Sequence, residues 1–337
     1  MPALAVAAEL ADRDVEVMFA GTPDRIEARL VPAAGYPLHT IRVKGFERRI
    51  SLGLVKAAGL AAVAPAAALR LLRRLRPDVI FGTGYVAGPL FAAAVPLRVP
   101  GALLEVDARM SMTSSMSSPL VRRVFLAFPI DGLHPPHNVV TGRPIPREVL
   151  NATRAEGRAE LALAAGRQVV LVMGGSLGAR SINLAAADAW AAEDPGFTVV
   201  NLTGSRDYPM MSERASPHYR VIEFSQSIGK LLAASDLVVA RSGGSVFEIA
   251  AAGRPAILIP SPNVSGDHQT PNAEYLADGG AAVLLRDSAL TAEVLTREVA
   301  NLLAQPRRLE GMGAAARRLA RPDAAAVIAS QLLELTR

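Results

Sequence analysis

Arg241-Ser-Gly-Gly-Ser-Val-Phe-Glu248, continued by Ile-Ala-Ala-Ala-Gly253-Arg-Pro-Ala-Ile-Leu-Ile-Pro260, is the stretch whose reading decides the fold. The apolar run that precedes it, Ser235 to Ala240, suits a strand buried on both faces. Val246 to Ala252 has helix-forming composition and stops at Gly253, with Pro255 just beyond. Ala256 to Pro260 then returns as a second strand, which completes one βαβ unit. The turn aims the backbone N–H groups of Gly243, Gly244 and Ser245 over a helix N-terminus, where donors and the positive dipole end favour an anion such as a phosphate. Glu248, on the first helical turn, is placed to accept hydrogen bonds from a ribose diol. A turn that is only tight, with Glu248 complementing the dipole, would carry the same letters.

Working outward, Gln168 to Met173 is a buried strand, and Gly174-Gly-Ser-Leu-Gly-Ala179 turns from it into a helix near Arg180. That turn is not Gly-x-Gly-x-x-Gly, and no acidic residue follows at dinucleotide spacing, so a nicotinamide cofactor is disfavoured. Thr198 to Leu202 and Val221 to Phe224 read as further strands, and Ser225 to Ile228 opens the helix that leads to the central unit. After Pro260, Asn263-Val-Ser-Gly-Asp267-His-Gln-Thr-Pro-Asn272 reads as a polar loop suited to sugar hydroxyls, with a helix following at Ala273 to Leu276. Thr291 to Ala304 and Arg307 to Leu335 are the last helices.

The first half is a second α/β pattern. Pro2 to Ala11 reads as a helix and Val15 to Ala20 as a strand, without the strand and turn that normally come first. Asp24 is a candidate cap for the next helix. Ile50 to Arg76 is a long helical region carrying Lys56, Arg70, Arg73, Arg74 and Arg76 beside apolar residues, a pattern that fits an anionic membrane surface or an ordinary packed helix. Lys56 and Pro65 make it a poor membrane span. Gly101 to Asp107 reads as a strand whose carboxyl end carries Glu105 and Asp107, and Met110 to Ser118 as a loose loop or irregular helix entry. Val139 to Pro146 is the expected boundary, giving domains at 1–145 and 146–320, with 321–337 a helix packing back on the first.

With 337 residues, half of them hydrophobic, the chain can bury two cores. It has no cysteine, which excludes disulfides and a catalytic thiol, and its five histidines form no ligand motif. The net charge of +5 is compatible with anionic lipid or nucleotide.

Together, Pro2-Ala-Leu-Ala-Val-Ala, Gly21-Thr-Pro-Asp-Arg-Ile-Glu, Gly84-Tyr-Val-Ala-Gly-Pro, Gly174-Gly-Ser-Leu-Gly-Ala, Arg241-Ser-Gly, Glu248-Ile-Ala-Ala-Ala-Gly and Asp267-His-Gln-Thr-Pro-Asn-Ala resemble the GT-B glycosyltransferases of family 28. The likeness covers essentially the whole chain. It implies an α/β GT-B fold of two Rossmann-like domains facing across a cleft. The implied activity is metal- and cofactor-independent, inverting transfer of N-acetylglucosamine from UDP-N-acetylglucosamine (UDP-GlcNAc) to lipid I. Implied partners are UDP-GlcNAc and lipid I at the anionic, cytoplasmic face of a bacterial membrane, without nucleic acid. By the same resemblance Ser176 lies beside the nucleotide, backbone at Ser225 holds uracil, and Gly244 and Ser245 bind the diphosphate. Glu248 then takes the ribose, Gln269 with His268 reads the sugar hydroxyls, and Asp107 stands where the family has an Asn near the donor sugar.

The departures concern the start and the base. Family members open with a strand and a Gly-Gly-Thr-Gly-Gly-His type loop that supplies the histidine proposed as general base, and this chain begins just after it. The first domain is therefore expected to miss its first strand, and Met1 to be a misplaced start. Leu104 replaces a usual His, Leu177 a Gln, and Arg143-Pro-Ile-Pro146 an Asn-Pro-Val-Arg. Glu105 and Asp107 are then the nearest candidates for a base. Alternative readings are another GT-B lipid or natural-product glycosyltransferase, a UDP-GlcNAc 2-epimerase, or an inactive UDP-GlcNAc-binding protein.

Overall fold

The computed structural model describes residues 2–41, 43, 52–84, 86–163, 166–175 and 178–337, with backbone alone for 52–63 and 265. Two compact units form: Met1–Pro144 with Asp323–Arg337, and Ile145–Pro322.

The second unit holds β7 (Val169–Met173), β8 (Thr198–Leu202), β9 (Tyr219–Ile222), β10 (Leu237–Ala240), β11 (Ala256–Leu258) and β12 (Ala282–Leu284). All six strands of the second unit are parallel, in the order β12-β11-β10-β7-β8-β9. β7, β8 and β10 are buried at every position; β7 and β10 accordingly read as unbroken apolar runs, whereas β8 also buries Thr198 and Asn201. The chain winds from β7 through β8 to β9, then returns to the other side of β7 as β10. The order therefore reverses between β7 and β10, and in open α/β sheets ligands bind beyond the strand carboxyl ends at such a switch. The core on one face joins Val170, Val172, Val239 and Ile257 to Ile182 and Trp190 of the helix Arg180–Trp190 and to Leu295 and Val299 of the helix Ala292–Leu303.

The first unit divides its parallel strands between two sheets. β1 (Phe19–Gly21) pairs with β2 (Leu38–Thr40). β3 (Ile80–Gly82), β4 (Gly101–Glu105), β5 (Arg123–Leu126) and β6 (Asn138–Val140) form the other, in sequence order. One core places Ala68 and Leu72 of the helix Leu52–Leu75 against Leu90 and Phe91 of the helix Ala87–Leu97. The other joins Val6 and Leu10 of the first helix, Pro2–Ala11, to Ile328, Ala329 and Leu332 of the last, Ala324–Leu335. Burying a side chain of the Leu or Ile class contributes about 1.5–3 kcal/mol, enough to hold the last helix to this unit.

Several local expectations give way. Asp24 does not cap the helix Glu27–Ala33; Glu27 instead turns back to accept from Thr22 N at 3.1 Å and Oγ1 at 2.6 Å. Met112–Ser117 is a short helix, capped by Ser111, whose side chain accepts from Ser114 N. β9 starts at the fully buried Tyr219 and leaves Phe224 exposed. The expected 307–335 helix is two, Pro306–Leu319 and Ala324–Leu335, because Pro322 disfavours helical backbone at Arg321.

Candidate functional site

At the β7–β10 switch the first connection is held by a close approach. Gly178 has φ +79°, and a Cβ there would lie 2.0 Å from the Thr203 carbonyl oxygen at the end of β8. Asn183, fully buried on the following helix, donates to Thr203 O and to Asp207 Oδ2, each at 3.0 Å. The turn after β7 is thus pinned against the carboxyl end of β8. Ser176, within that turn, lies outside the described residues.

The turn after β10 is built on buried polar contacts. Ser242, fully buried, donates its hydroxyl to Gln269 O at 2.8 Å, and its own carbonyl accepts from the buried Asn272 Nδ2 at 3.0 Å. These bonds join the turn to the helix Gln269–Asp278, whose cap position is His268. Gln269 is therefore the first helical residue and not part of a loop; Pro271 is tolerated because first-turn N–H groups have no intrahelical acceptor. Its Oε1 accepts from Ser261 N at 2.9 Å, which fixes the amide and leaves Nε2 3.6 Å from where a Gly243 Cβ would sit. The amide donors of Gln269 thus stand over the glycine turn, beside the half-buried His268. Gly244 is the cap and Ser245 the first residue of the helix Ser245–Ala251, and Glu248 lies half-buried on its first turn.

Arg241 ties these connections together. Its guanidinium donates to the carbonyls of Ile259 and Pro260, both at 3.1 Å, and to Ser181 Oγ at 2.7 Å, and it pairs with Asp287 at 2.6 Å. The ends of β10 and β11 and the start of the helix after β7 are therefore tied through one side chain.

Beyond β9, Ser225 Oγ accepts from Ser227 N at 3.0 Å, just before the helix Ile228–Ala234. Glu148, from the helix Arg147–Asn151, accepts from Gly229 N at 3.1 Å. Burial pushes the Glu148 carboxyl above its ordinary value, and the nearby Glu248 charge pushes the same way, against the Gly229 N–H and Lys230. The arrangement offers backbone N–H groups, amide donors and carboxylates along one sheet edge. That set suits an anion flanked by hydroxyl-bearing groups.

In the first unit Glu105 is 2 % exposed at the end of β4. Its Oε1 accepts from Val106 N at 2.8 Å and Asp107 N at 3.1 Å, and its Oε2 from Ser111 N at 2.9 Å. A carboxylate so engaged shapes the loop after β4 and is poorly placed to take a substrate proton. Asp107 is half-buried in that loop. The sequence assigns no supporting role to Ser242, Arg241 or Glu148, and Asn272, expected in a polar loop for sugar hydroxyls, is instead buried against Ser242 O. Ser242, Arg241 and Asn272 lie in or beside the quoted motifs, and buried polar residues inside a motif were the available signal. Glu148 had none, since its partner is 81 residues away.

The glycosyltransferase family 28 C-terminal domain profile matches residues 169–328, and the family's N-terminal domain profile matches residues 1–126. A UDP-N-acetylglucosamine–N-acetylmuramyl-(pentapeptide) pyrophosphoryl-undecaprenol N-acetylglucosamine transferase of Salinibacter ruber is 40% identical over 331 residues, 96% of this chain and 89% of the relative. The transferase of the same name from Stutzerimonas stutzeri is 38% identical over 99% of this chain and 94% of its own length. Among solved structures, Acinetobacter baumannii MurG superposes with a TM-score of 0.77 at 29% identity, covering 99% of this chain and 95% of that one. On this evidence the fold is GT-B, built of two Rossmann-like units with parallel sheets, and the chain belongs to glycosyltransferase family 28.

Proposed function

We propose that the chain transfers N-acetylglucosamine from UDP-GlcNAc to the undecaprenyl-diphosphate-linked N-acetylmuramyl-pentapeptide, lipid I, yielding lipid II for peptidoglycan. The observation that carries this reading is full-length similarity at 38–40% identity to transferases named for that reaction, joined to a carboxyl edge with the groups a nucleotide sugar needs. In this reading the diphosphate lies over the N–H groups of Gly244 and Ser245, the ribose on Glu248, and the uracil on backbone at Ser225. Ser176 lies beside the nucleotide, and Gln269 with His268 reads the sugar hydroxyls. Asp107 is assigned to substrate contact in the first unit.

The reaction is a single inverting displacement without a metal. The acceptor sugar hydroxyl attacks the anomeric carbon and gives up its proton to a base or to water, the bond to UDP breaks with its electron pair passing to the diphosphate, and the amide donors with the helix dipole stabilise that leaving group. The first unit is assigned the membrane-bound acceptor. Support comes from exposed Val95, Met112, Met116 and Leu120 and from exposed Arg70, Arg73 and Arg74 at the end of the helix Leu52–Leu75. Among the described residues no helix is long and apolar enough to cross a membrane, so attachment is peripheral in this reading, at the cytoplasmic face.

The test is incubation of the purified chain with labelled UDP-GlcNAc and lipid I in detergent. Label appearing in lipid II, dependent on acceptor, is expected. Conversion of the nucleotide sugar without acceptor, or binding with no transfer, would overturn the assignment.

A further inference from the structure

We propose that Glu148 is a positioning residue for nucleobase recognition, fixing the Ser225–Gly229 turn from outside that turn. The proposal rests on the nucleotide reading above and adds a residue to it. The helix Ile228–Ala234 has Ser227 at its cap position, and the Ser227 side chain makes no capping hydrogen bond. A distant carboxylate does the work instead. Glu148 accepts from Gly229 N with Oε2 at 3.1 Å and Oε1 at 3.4 Å.

The backbone around it has no slack. A Cβ on Gly229 would lie 2.4 Å from Glu148 O and 2.6 Å from Val149 Cα. At the next residue, a Cβ on Gly157 of the helix Arg154–Glu160 would lie 2.1 Å from Lys230 O. The first turn of Ile228–Ala234 is thus wedged between two helices, with the Glu148 carboxylate setting its N-terminal end. Upstream, Ser225 Oγ and Ser227 N close the turn that offers backbone to the base. Glu148 also stands near Glu248, the residue assigned to the ribose, so the acceptor that fixes Gly229 lies beside the nucleotide edge.

The experiment is calorimetric titration of the full chain and its Glu148→Ala, Glu148→Gln and Glu148→Asp variants with UDP and with ADP, alongside thermal unfolding. For Glu148→Ala, the UDP-over-ADP preference is expected to narrow by about fivefold or more through weaker UDP binding, with ADP unchanged. Glu148→Gln, whose amide oxygen accepts from the same N–H, is expected to keep the preference within about twofold. Glu148→Asp keeps the charge but withdraws the carboxylate by one methylene, so it should narrow the preference as Ala does. It also carries the test if Glu148→Ala does not fold. A variant less stable but with the wild-type UDP-over-ADP ratio would make Glu148 a structural cap only and overturn the proposal. A wild-type chain with no preference for UDP would instead sink the nucleotide reading, and this inference with it.

Discussion

The two edges of the second unit's sheet are closed by opposite chemistry. At the amino edge, arginines cap the carbonyls that precede the strands. Arg154 donates to Ala234 O and Ser235 O at 3.2 Å and pairs with Asp236 at 2.7 Å, and Arg254 adds a bond to Ser235 O at 2.9 Å. Arg158 reaches Arg167 O, and Arg167 reaches Phe197 O and Thr198 Oγ1. At the carboxyl edge the connections are glycine, serine and amide, and helix first turns there carry N–H groups with no intrahelical acceptor. One edge is satisfied by the protein's own side chains, and the other presents donors. Polar groups bound permanently add to stability, whereas polar groups held in place for a ligand add to recognition. A residue's edge should therefore say which of the two it serves.

Arg241 tests that division most severely, because it is an arginine clamp at the carboxyl edge. Its side chain is 13 % exposed and that of its partner Asp287 is 19 %. Removing one partner of a fully buried pair costs about 3–5 kcal/mol, and this part-exposed pair lies at the lower end of that range. Arg241→Ala is expected to lower stability to denaturant by roughly that amount and to abolish measurable UDP-GlcNAc binding, whereas Arg241→Lys should recover much of the stability and little of the binding. Binding intact in a destabilised Arg241→Ala would place Arg241 with the amino-edge clamps.

Glu248→Ala should separate the edges in the other direction. Loss of a charged hydrogen-bond partner to the ribose corresponds to roughly 10- to 100-fold weaker UDP-GlcNAc binding. Thermal stability should move little, since Glu248 is half-buried on a helix first turn. Calorimetry beside a melting curve reads both, and unchanged affinity would remove Glu248 from the site. At the amino edge the expectation inverts. Arg154→Ala should cost about 1 kcal/mol, held low by the 41 % exposure of its side chain, and leave donor affinity within about twofold. Donor affinity that falls with Arg154→Ala would show the two edges to be coupled through β10.

The same division explains what the sequence made legible. β7 was readable nearly to the residue because a strand buried on both faces favours a continuous apolar run. The glycine turns and Glu248 were readable because close backbone approach and a first-turn carboxylate leave local signatures. Gln269 reads as loop because the stretch to Asn272 is rich in hydrogen-bonding side chains, yet the helix already begins there, with Pro271 tolerated in its first turn. β9 slid by two residues because Tyr219 and Phe224 are both apolar in sequence and only packing shows which is buried. The amino-edge arginines were unreadable as a group, since each finds its carbonyl through tertiary proximity. Of the site, the residues assigned to ligand contact were visible in sequence. Those that hold them, Ser242, Asn272, Arg241 and Glu148, needed the fold.

Glu148 gives the smallest effect and the finest test, because it belongs to the carboxyl edge by place and resembles a clamp by its hydrogen bond. Burial, then the Glu248 charge, hold its carboxyl above the ordinary value, so the folded chain binds that proton more readily than the unfolded chain does. The contribution of this group to stability therefore rises as pH falls through the folded value toward the ordinary one, and is level below both. The charged form is the one the fold disfavours, an effect partly offset by Gly229 N–H and Lys230. Glu148→Gln removes the ionisation while keeping an acceptor for Gly229. Its melting midpoint at neutral pH is expected to equal or exceed the wild-type value by about 1–2 °C. That margin should shrink as pH falls through the folded value of Glu148, read as paired melting curves across the acid range. A Glu148→Gln protein less stable than wild type at neutral pH would mean that the charged bond to Gly229 outweighs burial and repulsion. Glu148 would then hold the fold as the amino-edge arginines do, and the two edges would differ in residue type without differing in purpose at this position.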